Sequence, residues 1–250
     1  MTDTYLGFDI GGTGIKAALI NVATGELLTE KMRELTPKPA DPKSVADKVK
    51  EMLDQFEYNG PVGIGFPAII HHGVAKSAAN VDKKWINVNI EKLLSEKTGM
   101  PFYAANDADV AGLAEVKFGS ADSSGTVIVL TIGTGIGSGM FLDGKLVPNT
   151  EFGHLYFKNS IYEHYISNVT RKREDLTWEE WGKRFNGYLL HLETLFSPDL
   201  FVLGGGASKK FHKYEDQFTV ETKVVPAEYQ NDAGVLGAAM YASQRVLSAQ

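Results

Sequence analysis

A glycine-rich turn near the start of the chain carries residue types suited to binding phosphate. Gly11-Gly12-Thr13-Gly14 lies between the apolar segments 5–10 and 15–21, which are predicted to be buried strands. Glycine has no Cβ, so a ligand can approach the backbone closely, and successive free N–H groups form an anion site. Asp9 closes the first strand, where a carboxylate would suit a phosphate-bound Mg²⁺ or its water shell, and Lys16 adds a positive charge. A glycine-rich hairpin with a solvated aspartate is the alternative interpretation.

The same pattern recurs about half a chain length later. The apolar segment 127–132 is followed by the turn Gly133-Thr134-Gly135-Ile136-Gly137 and a further strand over 138–142. Two copies of one strand–turn–strand unit suggest two similar lobes that bind one polyphosphate from both sides. This pattern resembles the superfamily of sugar kinases, actin and Hsp70, in which two ribonuclease-H-like lobes flank a nucleotide.

The resemblance implies an α/β fold of two ribonuclease-H-like lobes with a cleft between them. We expect an N-terminal lobe over residues 1–107, a C-terminal lobe over 108–232 and a last helix, 233–250, that returns to the first lobe. In the first lobe we expect a third strand over 26–34, a helix after Asp41-Pro42 and a buried strand over 62–66.

The composition restricts the class of protein. The chain has 250 residues, of which 43% are hydrophobic, and this suffices for substantial cores. The net charge of −6 is unlike that of a nucleic-acid or membrane binder. The sequence has no cysteine, which excludes disulfides and cysteine-ligated zinc or iron–sulfur sites. Without a signal peptide or a long apolar run, we expect a soluble cytoplasmic protein that binds neither membrane nor nucleic acid.

Asn106-Asp107 stands where a predicted strand ends and a helix begins, the edge at which ligands bind to α/β sheets. Asp107 could be a general base that accepts a hydroxyl proton during phosphoryl transfer, with Asn106 positioning the acceptor. Helix capping alone also explains many aspartates at such a place.

Two further groups could contact a polyol. Glu151 and His154, bridged by a glycine, can point the same way in a turn. They could bind a polyol, bind a metal together with further ligands, or only cap a strand, and two residues are too few to predict a metal site. Asn80 and Trp85 offer the polar and flat apolar contacts that sugars need. A surface loop with a buried tryptophan also explains the second pair, and the sequence alone favours that interpretation.

The second half also has a glycine run and two basic clusters. Gly204-Gly205-Gly206 follows a predicted strand, so that a base or phosphate could lie against the backbone; Lys209, Lys210 and Lys213 come next. Arg171-Lys172-Arg173 is basic within an acidic protein, and is either a solvated surface or a polyanion contact. If these residues line one groove, changing Arg171 and Arg173 to Ala should raise the KM for long polyphosphate.

An aromatic stripe is predicted on one long helix. Thr177 and Glu180 form a capping box that opens this helix. Bulky residues then recur at spacings of three and four, in the order Trp178, Trp181, Phe185, Tyr188, Leu192 and Leu195. Such a stripe usually fills a core, but the heptad-like repeat also fits the interface of a homodimer.

Taken together, the motifs resemble those of the ROK family (repressors, open reading frames, sugar kinases), and most closely those of its polyphosphate glucokinase group. The resemblance covers nearly the whole chain. Residues 9–16 and 130–137 are similar to the two phosphate motifs, and residues 201–208 are similar to the adenosine motif. The resemblance implies Asp107 as catalytic residue and Asn80, Asn106, Glu151 and His154 as sugar ligands. It implies donor binding by Asp9, Gly11, Gly12, Thr13, Lys16, Thr131, Gly133, Thr134, Gly135, Gly204, Gly205, Gly206 and Lys209.

One departure from the wider family is informative. Typical members carry a cysteine-rich zinc loop that uses the histidine of Glu-x-Gly-His, whereas this sequence has no cysteine. We therefore expect no zinc, and Mg²⁺ near Asp9, held through water. The polyphosphate glucokinase group also lacks this loop. The family's further sugar-binding glutamate has no position that the sequence identifies.

The resemblance implies a glucokinase that phosphorylates the 6-hydroxyl of glucose, with polyphosphate as preferred donor and ATP or GTP used less well. An ATP-dependent kinase for glucose, mannose or an N-acetyl amino sugar is the alternative. A transcriptional repressor would need a DNA-binding segment before the first motif, and only eight residues precede Asp9. An ATPase of the actin or Hsp70 type would not need the sugar-binding pattern.

Overall fold

The computed structural model describes residues 3–78, 80–119, 124–229 and 231–248. The chain divides into two compact units, the first formed by residues 1–114 and 232–250 and the second by residues 115–231. The division lies between residues 114 and 115, inside a helix that starts at Asp107, whereas the sequence predicted a boundary between residues 107 and 108.

A mixed six-stranded sheet forms the centre of the first unit. The strands are β1 (Thr4–Ile10), β2 (Gly14–Asn21), β3 (Glu26–Leu27), β4 (Met32–Leu35), β5 (Val62–Phe66) and β8 (Phe102–Asn106), and a small hairpin adds β6 (Ile70–His71) and β7 (Val74–Ala75). The order in the sheet is β3-β2-β1-β5-β8, with β4 also paired to β2. β1 runs antiparallel to β2 and parallel to β5, and β5 runs parallel to β8.

The predicted third strand is two short strands. β3 and β4 are separated by residues 28–31, where the backbone N–H of Leu19 donates to the hydroxyl of Thr29 at 3.1 Å. Because a side chain replaces a backbone acceptor there, the ladder is interrupted.

In the described part of the first unit, the α-helices are α1 (Pro42–Leu53), α2 (Ile90–Thr98), the start of α3 (Asp107–Phe118) and α7 (Ala233–Ser248). Asp41 caps α1, as the sequence predicted, by accepting from the N–H of Ser44 at 2.9 Å. The backbone of α7 lies directly on the sheet at Gly7 and Gly63, where a Cβ would collide with it. The absence of a Cβ at these two positions therefore permits this close packing.

The second unit has a five-stranded sheet with the order β11-β10-β9-β14-β15. Its strands are β9 (Thr126–Ile132), β10 (Ile136–Leu142), β11 (Lys145–Val147), β14 (Leu200–Gly205) and β15 (Lys223–Pro226), and a hairpin adds β12 (Tyr156–Phe157) and β13 (Ser160–Ile161). Its helices, besides the end of α3, are α4 (Glu163–Ile166), α5 (Asn168–Arg173) and α6 (Trp178–Phe196). As in the first unit, an antiparallel hairpin is extended by a parallel strand.

The aromatic stripe belongs to helix α6, which begins with the predicted capping box of Thr177 and Glu180. Four of its side chains, Trp181, Phe185, Tyr188 and Leu192, are fully buried in the core of the second unit. At these four positions the stripe therefore fills a core, which is the first of the two interpretations that the sequence allows.

No helix in the described part of the chain combines the length and apolar composition that a membrane span requires.

Candidate functional site

The first glycine turn is the tip of the β1–β2 hairpin. The N–H of Gly11 donates to the carbonyl of Gly14 at 2.9 Å, which closes the turn, and Thr13 is exposed. Strand register places Asp9 opposite Lys16, and the Lys16 Nζ lies 2.8 Å from Oδ2 of Asp9. The hairpin thus brings together all the predicted donor-binding residues of the first unit.

The Asp9 carboxylate lies against the first turn of helix α7. A Cβ at Gly234 would lie 2.7 Å from the carboxylate carbon, so glycine is needed at this position. The positive end of a helix dipole stabilises a nearby carboxylate. The helix N-terminus and the Lys16 ammonium therefore both lie against the Asp9 carboxylate.

Asn106 and Asp107 lie at the junction of β8 and α3. Oδ1 of Asn106 accepts from the N–H groups of Ala108 at 2.8 Å and Asp109 at 3.3 Å, and its Nδ2 donates to the carbonyl of Ala68 at 3.1 Å. Oδ1 of Asp107 accepts from the N–H of Ala108 at 2.9 Å. Both Asn106 and Asp107 therefore cap the N-terminus of α3, whereas the sequence suggested capping by Asp107 only.

The loop that carries Asn80 has a polar tip and a buried anchor. Asn80 is exposed, whereas Trp85 is fully buried against Phe66 at a ring-centroid distance of 4.7 Å. The indole N–H of Trp85 donates to the carbonyl of Ala40 at 2.9 Å. The prediction of a buried tryptophan is confirmed, and the ring has no free face for a sugar.

In the second unit, the second glycine turn is the tip of the β9–β10 hairpin. The N–H of Gly133 donates to the carbonyl of Gly135 at 2.9 Å, and Thr134 is exposed. Oε2 of Glu163 accepts from the N–H of Ile136 at 2.8 Å, so this carboxylate already occupies one donor of the turn. A Cβ at Gly135 would collide with that carboxylate.

Glu163 is a residue that the sequence analysis missed. It lies in α4, 27 positions from its backbone partner, and no local spacing links the two. Only the fold brings this glutamate to the glycine turn.

Glu151 and His154 lie beside the same turn. His154 ends a short 3₁₀ helix after Glu151, and its Nδ1 is 3.4 Å from Oε2 of Glu151. Burial raises the pKa of Glu151, the charge of Glu163 raises it further and His154 opposes this rise. A Cβ at Gly153 would lie 2.5 Å from the carbonyl oxygen of Ile136, so the glycine of Glu-x-Gly-His lets this segment pack on the turn. The second unit thus gathers two carboxylates and an imidazole, groups that can bind several sugar hydroxyls.

The third glycine run lies beside the second turn. In the parallel β9–β14 pair, Gly204 is opposite Thr131 and Gly205 is opposite Ile132. Gly205 has φ +76°, which favours glycine, and Gly206 follows it. Lys209, in the next 3₁₀ helix, is exposed. The predicted donor-binding residues of this unit therefore lie at the ends of two adjacent strands, β9 and β14, or in the segments that follow them.

The two basic clusters are joined by an aromatic stack. The guanidinium of Arg171 lies 4.2 Å from the ring centroid of Trp178, which stacks on Tyr214 at 5.6 Å. Tyr214 directly follows the lysine-bearing 3₁₀ helix, and its hydroxyl donates to the carbonyl of Ala207 at 3.1 Å. The stack therefore connects helix α5 to the residue after the lysine segment through the fully buried ring of Tyr214.

The basic side chains of these two clusters differ in their contacts with the rest of the protein. Arg171 also donates to the carbonyl of Leu176 at 3.0 Å, and Arg173 pairs with Glu174 at 3.0 Å. Lys172, Lys209, Lys210 and Lys213 are exposed. The predicted Arg171 and Arg173 double change would disturb packing, so the exposed lysines are the better probes of an anion-binding surface.

Among the side chains that the structure describes, no group of three or more His, Cys, Asp or Glu could hold a metal ion by itself. Mg²⁺ in phosphoryl-transfer sites is usually held by one or two carboxylates together with substrate phosphates and water. Asp9, beside a turn of backbone N–H groups, fits that kind of site.

Comparison with known proteins yields a consistent set of matches. The family model of the ROK family matches residues 5–174. A polyphosphate glucokinase of Mycobacterium tuberculosis is 42% identical over 236 residues, which cover 94% of this chain and 89% of that protein. The crystal structure of the inorganic polyphosphate/ATP-glucomannokinase of Arthrobacter sp. strain KM is 45% identical with a TM-score of 0.90, covering 97% of this chain and 99% of that one.

A ROK family glucokinase of Streptomyces griseus, solved with glucose and AMPPNP, is similar in fold alone. It is 22% identical with a TM-score of 0.82, covering 96% of this chain and 99% of that one. These matches confirm the predicted α/β fold of the sugar-kinase superfamily.

Proposed function

We propose that this chain, which belongs to the ROK family, is a glucokinase. It phosphorylates the 6-hydroxyl of glucose and prefers inorganic polyphosphate as the phosphoryl donor. The observation that carries this proposal is the similarity, over almost the whole chain, to two proteins whose names contain polyphosphate. The name of the Arthrobacter protein also contains ATP and glucomannokinase. An ATP-dependent kinase for glucose or another hexose, such as mannose or an N-acetyl amino sugar, is therefore the second candidate.

Asp107 is the proposed general base. Its carboxylate stands at the carboxyl end of β8, and one oxygen is fixed by the N–H of Ala108. This contact orients the carboxylate at the junction of β8 and α3, and a fixed orientation suits proton abstraction from a sugar hydroxyl.

Asn80, Asn106, Glu151 and His154 are the proposed sugar ligands. Glu151 accepts hydroxyl hydrogen bonds when it is ionised, and a protonated His154 would favour that ionised state. Asn106 has already committed both ends of its amide to backbone groups, so we assign it mainly to the orientation of the segment that carries Asp107.

The three glycine segments are the proposed donor-binding elements. Their residues are Gly11, Gly12 and Thr13 in the first, Thr131, Gly133, Thr134 and Gly135 in the second, and Gly204, Gly205 and Gly206 in the third, with Lys16 and Lys209 as cations. Backbone N–H groups and lysines stabilise the charge that is spread over the transferred phosphoryl oxygens.

Asp9 is the proposed residue for Mg²⁺, through water. The ion would neutralise donor charge when bound. Lys16 pairs with Asp9 in the structure, so we infer that it turns to the phosphate when the metal is bound. We expect no zinc, because cysteine ligands are absent from the sequence.

The polyphosphate donor is supported by the exposed lysines of the second unit. ATP has three phosphates, whereas a long chain can engage Lys172, Lys209, Lys210 and Lys213 in succession. Binding should then weaken steeply with salt, as polyanion binding that releases counterions does.

We further propose a cytoplasmic homodimer that binds neither nucleic acid nor membrane. The buried stripe does not support the dimer, but Leu190 and Leu195 of the same helix are exposed apolar residues. Light scattering that finds a monomer at working concentration would remove the dimer from the proposal.

The test of the function is glucose 6-phosphate formation by the purified protein with a panel of hexoses, each with long polyphosphate, ATP and GTP. Glucose-dependent consumption of polyphosphate is the expected result. Donor hydrolysis without sugar phosphorylation would point to an ATPase instead.

A further inference from the structure

The first glycine turn touches the loop that carries Asn80, within the first unit. A Cβ at Gly12 would lie 2.7 Å from the backbone oxygen of Asn80 and 3.2 Å from its Cβ. Side chains essentially never approach backbone atoms within 3.0 Å, so only glycine fits here unless the loop moves. The proposed donor turn and the proposed sugar loop are therefore in van der Waals contact.

A second connection between them begins at Thr36, which is buried although it is polar. Its hydroxyl donates to the carbonyl of Gly11 at 2.5 Å, and its backbone N–H donates to the carbonyl of Thr13 at 3.4 Å. One residue thus holds the turn on both sides of Gly12.

The chain that follows Thr36 reaches the sugar loop. We name residues 36–41 the strap. The carbonyl of Ala40, near its end, accepts from the indole N–H of Trp85 at 2.9 Å and from the backbone N–H of Asp82 at 3.3 Å. Since Trp85 is fully buried, this end of the strap is anchored in the core. The strap is therefore fixed to the donor turn at one end and to the sugar loop at the other.

We propose that Thr36 is a positioning residue that couples the two substrates, so that sugar bound at Asn80 strengthens donor binding at the first glycine turn. Backbone N–H groups bind phosphate only when they are aligned, and both Gly12 and the strap transmit a shift of the sugar loop to that alignment. Coupling of two binding equilibria is reciprocal, so the donor must strengthen sugar binding by the same factor. The inference rests on the proposed function, because it requires a sugar site at Asn80 and a donor site at the turn.

The test measures the factor by which the donor strengthens sugar binding. 6-Deoxyglucose lacks the hydroxyl that would be phosphorylated, so it can be titrated with donor present and without turnover. Calorimetry gives its Kd with and without saturating polyphosphate and Mg²⁺. We expect the wild-type ratio of these Kd values to be about 5-fold or more, the lower end of ordinary coupling.

Thr36→Val keeps the shape of the side chain and removes the hydroxyl donor. We expect the ratio to fall below about 2-fold, with the Kd of 6-deoxyglucose alone within about 2-fold of wild type. Thr36→Ser keeps the hydroxyl and should restore the wild-type ratio, which a purely structural role would not predict.

Gly12→Ala is a second, independent variant should Thr36→Val fail to fold. The added methyl group pushes on Asn80, so it should weaken binding of 6-deoxyglucose even in the absence of donor. Gly14→Ala is the matched control, because its Cβ would face the Glu34 carbonyl at 3.3 Å rather than the sugar loop.

A wild-type ratio near one, or an unchanged ratio in Thr36→Val, overturns the coupling. If wild-type protein turns over glucose with polyphosphate while either result holds, only this inference fails. If wild-type protein neither binds nor phosphorylates a hexose, the proposed function fails, and the coupling fails with it.

Discussion

The ammonium group of Lys16 lies 2.8 Å from Oδ2 of Asp9, so a predicted phosphate ligand and the predicted metal-facing carboxylate form an ion pair. Both side chains are mostly shielded from water, with 27% and 19% exposure. In this pair each charge compensates the other beside the turn before substrates arrive.

This pair predicts how Asp9→Asn will behave. The variant removes the charge that favours Mg²⁺ but keeps the shape, so the Mg²⁺ concentration for half-maximal activity should rise about 10-fold or more, as for other residues that act through metal-bound water. Asp3→Asn, an exposed change just before the same strand, is the control. An unchanged Mg²⁺ requirement in Asp9→Asn would remove this residue from the metal site.

Asp107→Asn tests the proposed base. Turnover should fall by roughly 10²–10⁴-fold, the usual contribution of a general base, while glucose binding stays near wild type. Asp41→Asn makes the same chemical change at the N-terminus of α1, where asparagine is an equally good cap, and should keep full turnover. If Asp107→Asn also turns over normally, its carboxylate serves only to cap α3.

Because the pKa of Glu151 is raised, we expect a lower pH to weaken glucose binding but to remove a destabilising charge from the folded protein. As the pH falls through this raised value, Glu151 takes up a proton and loses the charge that strengthens its hydrogen bonds with sugar hydroxyls, so the KM for glucose should rise. Glu151→Gln should abolish this acidic limb and raise the KM at pH 7 at least about 10-fold, since hydrogen bonds to charged groups contribute about 1.5–3 kcal/mol.

The stability effect follows from the sign of the same shift. A carboxyl group whose pKa is raised by folding is destabilising when ionised. This penalty is complete above the raised pKa, decreases as the pH falls through it and is gone below the pKa of the unfolded state. Glu151→Gln should therefore melt higher than wild type at pH 7, and the difference should shrink in acid. A lower melting temperature at pH 7 would show that the contact with His154 dominates instead.

The exposed lysines give a prediction about the donor. Lys209→Ala with Lys210→Ala should raise the KM for long polyphosphate several-fold and leave the KM for glucose unchanged. The slope of log affinity against log salt should become shallower by about 0.7 for each phosphate group that the variant no longer neutralises, taking single-stranded nucleic acids as the guide. Lys43→Ala with Lys48→Ala on helix α1 is the control pair. Equal salt slopes for both pairs would mean that the lysine segment is only a solvated surface.

The sequence predicted those parts of the site that are local. Both glycine turns, the strand–helix junction at Asp107 and the glycine run after β14 depend on contiguous residues, and each lies where the pattern placed it. Capping residues such as Asp41 and Thr177 were predictable for the same reason.

The residues that the sequence did not indicate make contacts between distant segments. The hydroxyl of Thr36 donates to a carbonyl 25 positions away, and the carboxylate of Glu163 accepts from an N–H group 27 positions away. The division of 26–34 into two strands likewise depends on the contact of the Thr29 hydroxyl with Leu19, which no periodicity encodes. The heptad-like spacing in α6 is common to a core and an interface, and only burial distinguishes them.

The most direct measurement of the central claim is the rate of glucose 6-phosphate formation by wild-type protein with Mg²⁺, at saturating long polyphosphate and, separately, at saturating ATP. The account predicts that glucose is phosphorylated faster with polyphosphate than with ATP. Faster turnover with ATP at matched saturation would contradict the donor assignment, and the absence of glucose 6-phosphate with either donor would contradict the sugar kinase itself.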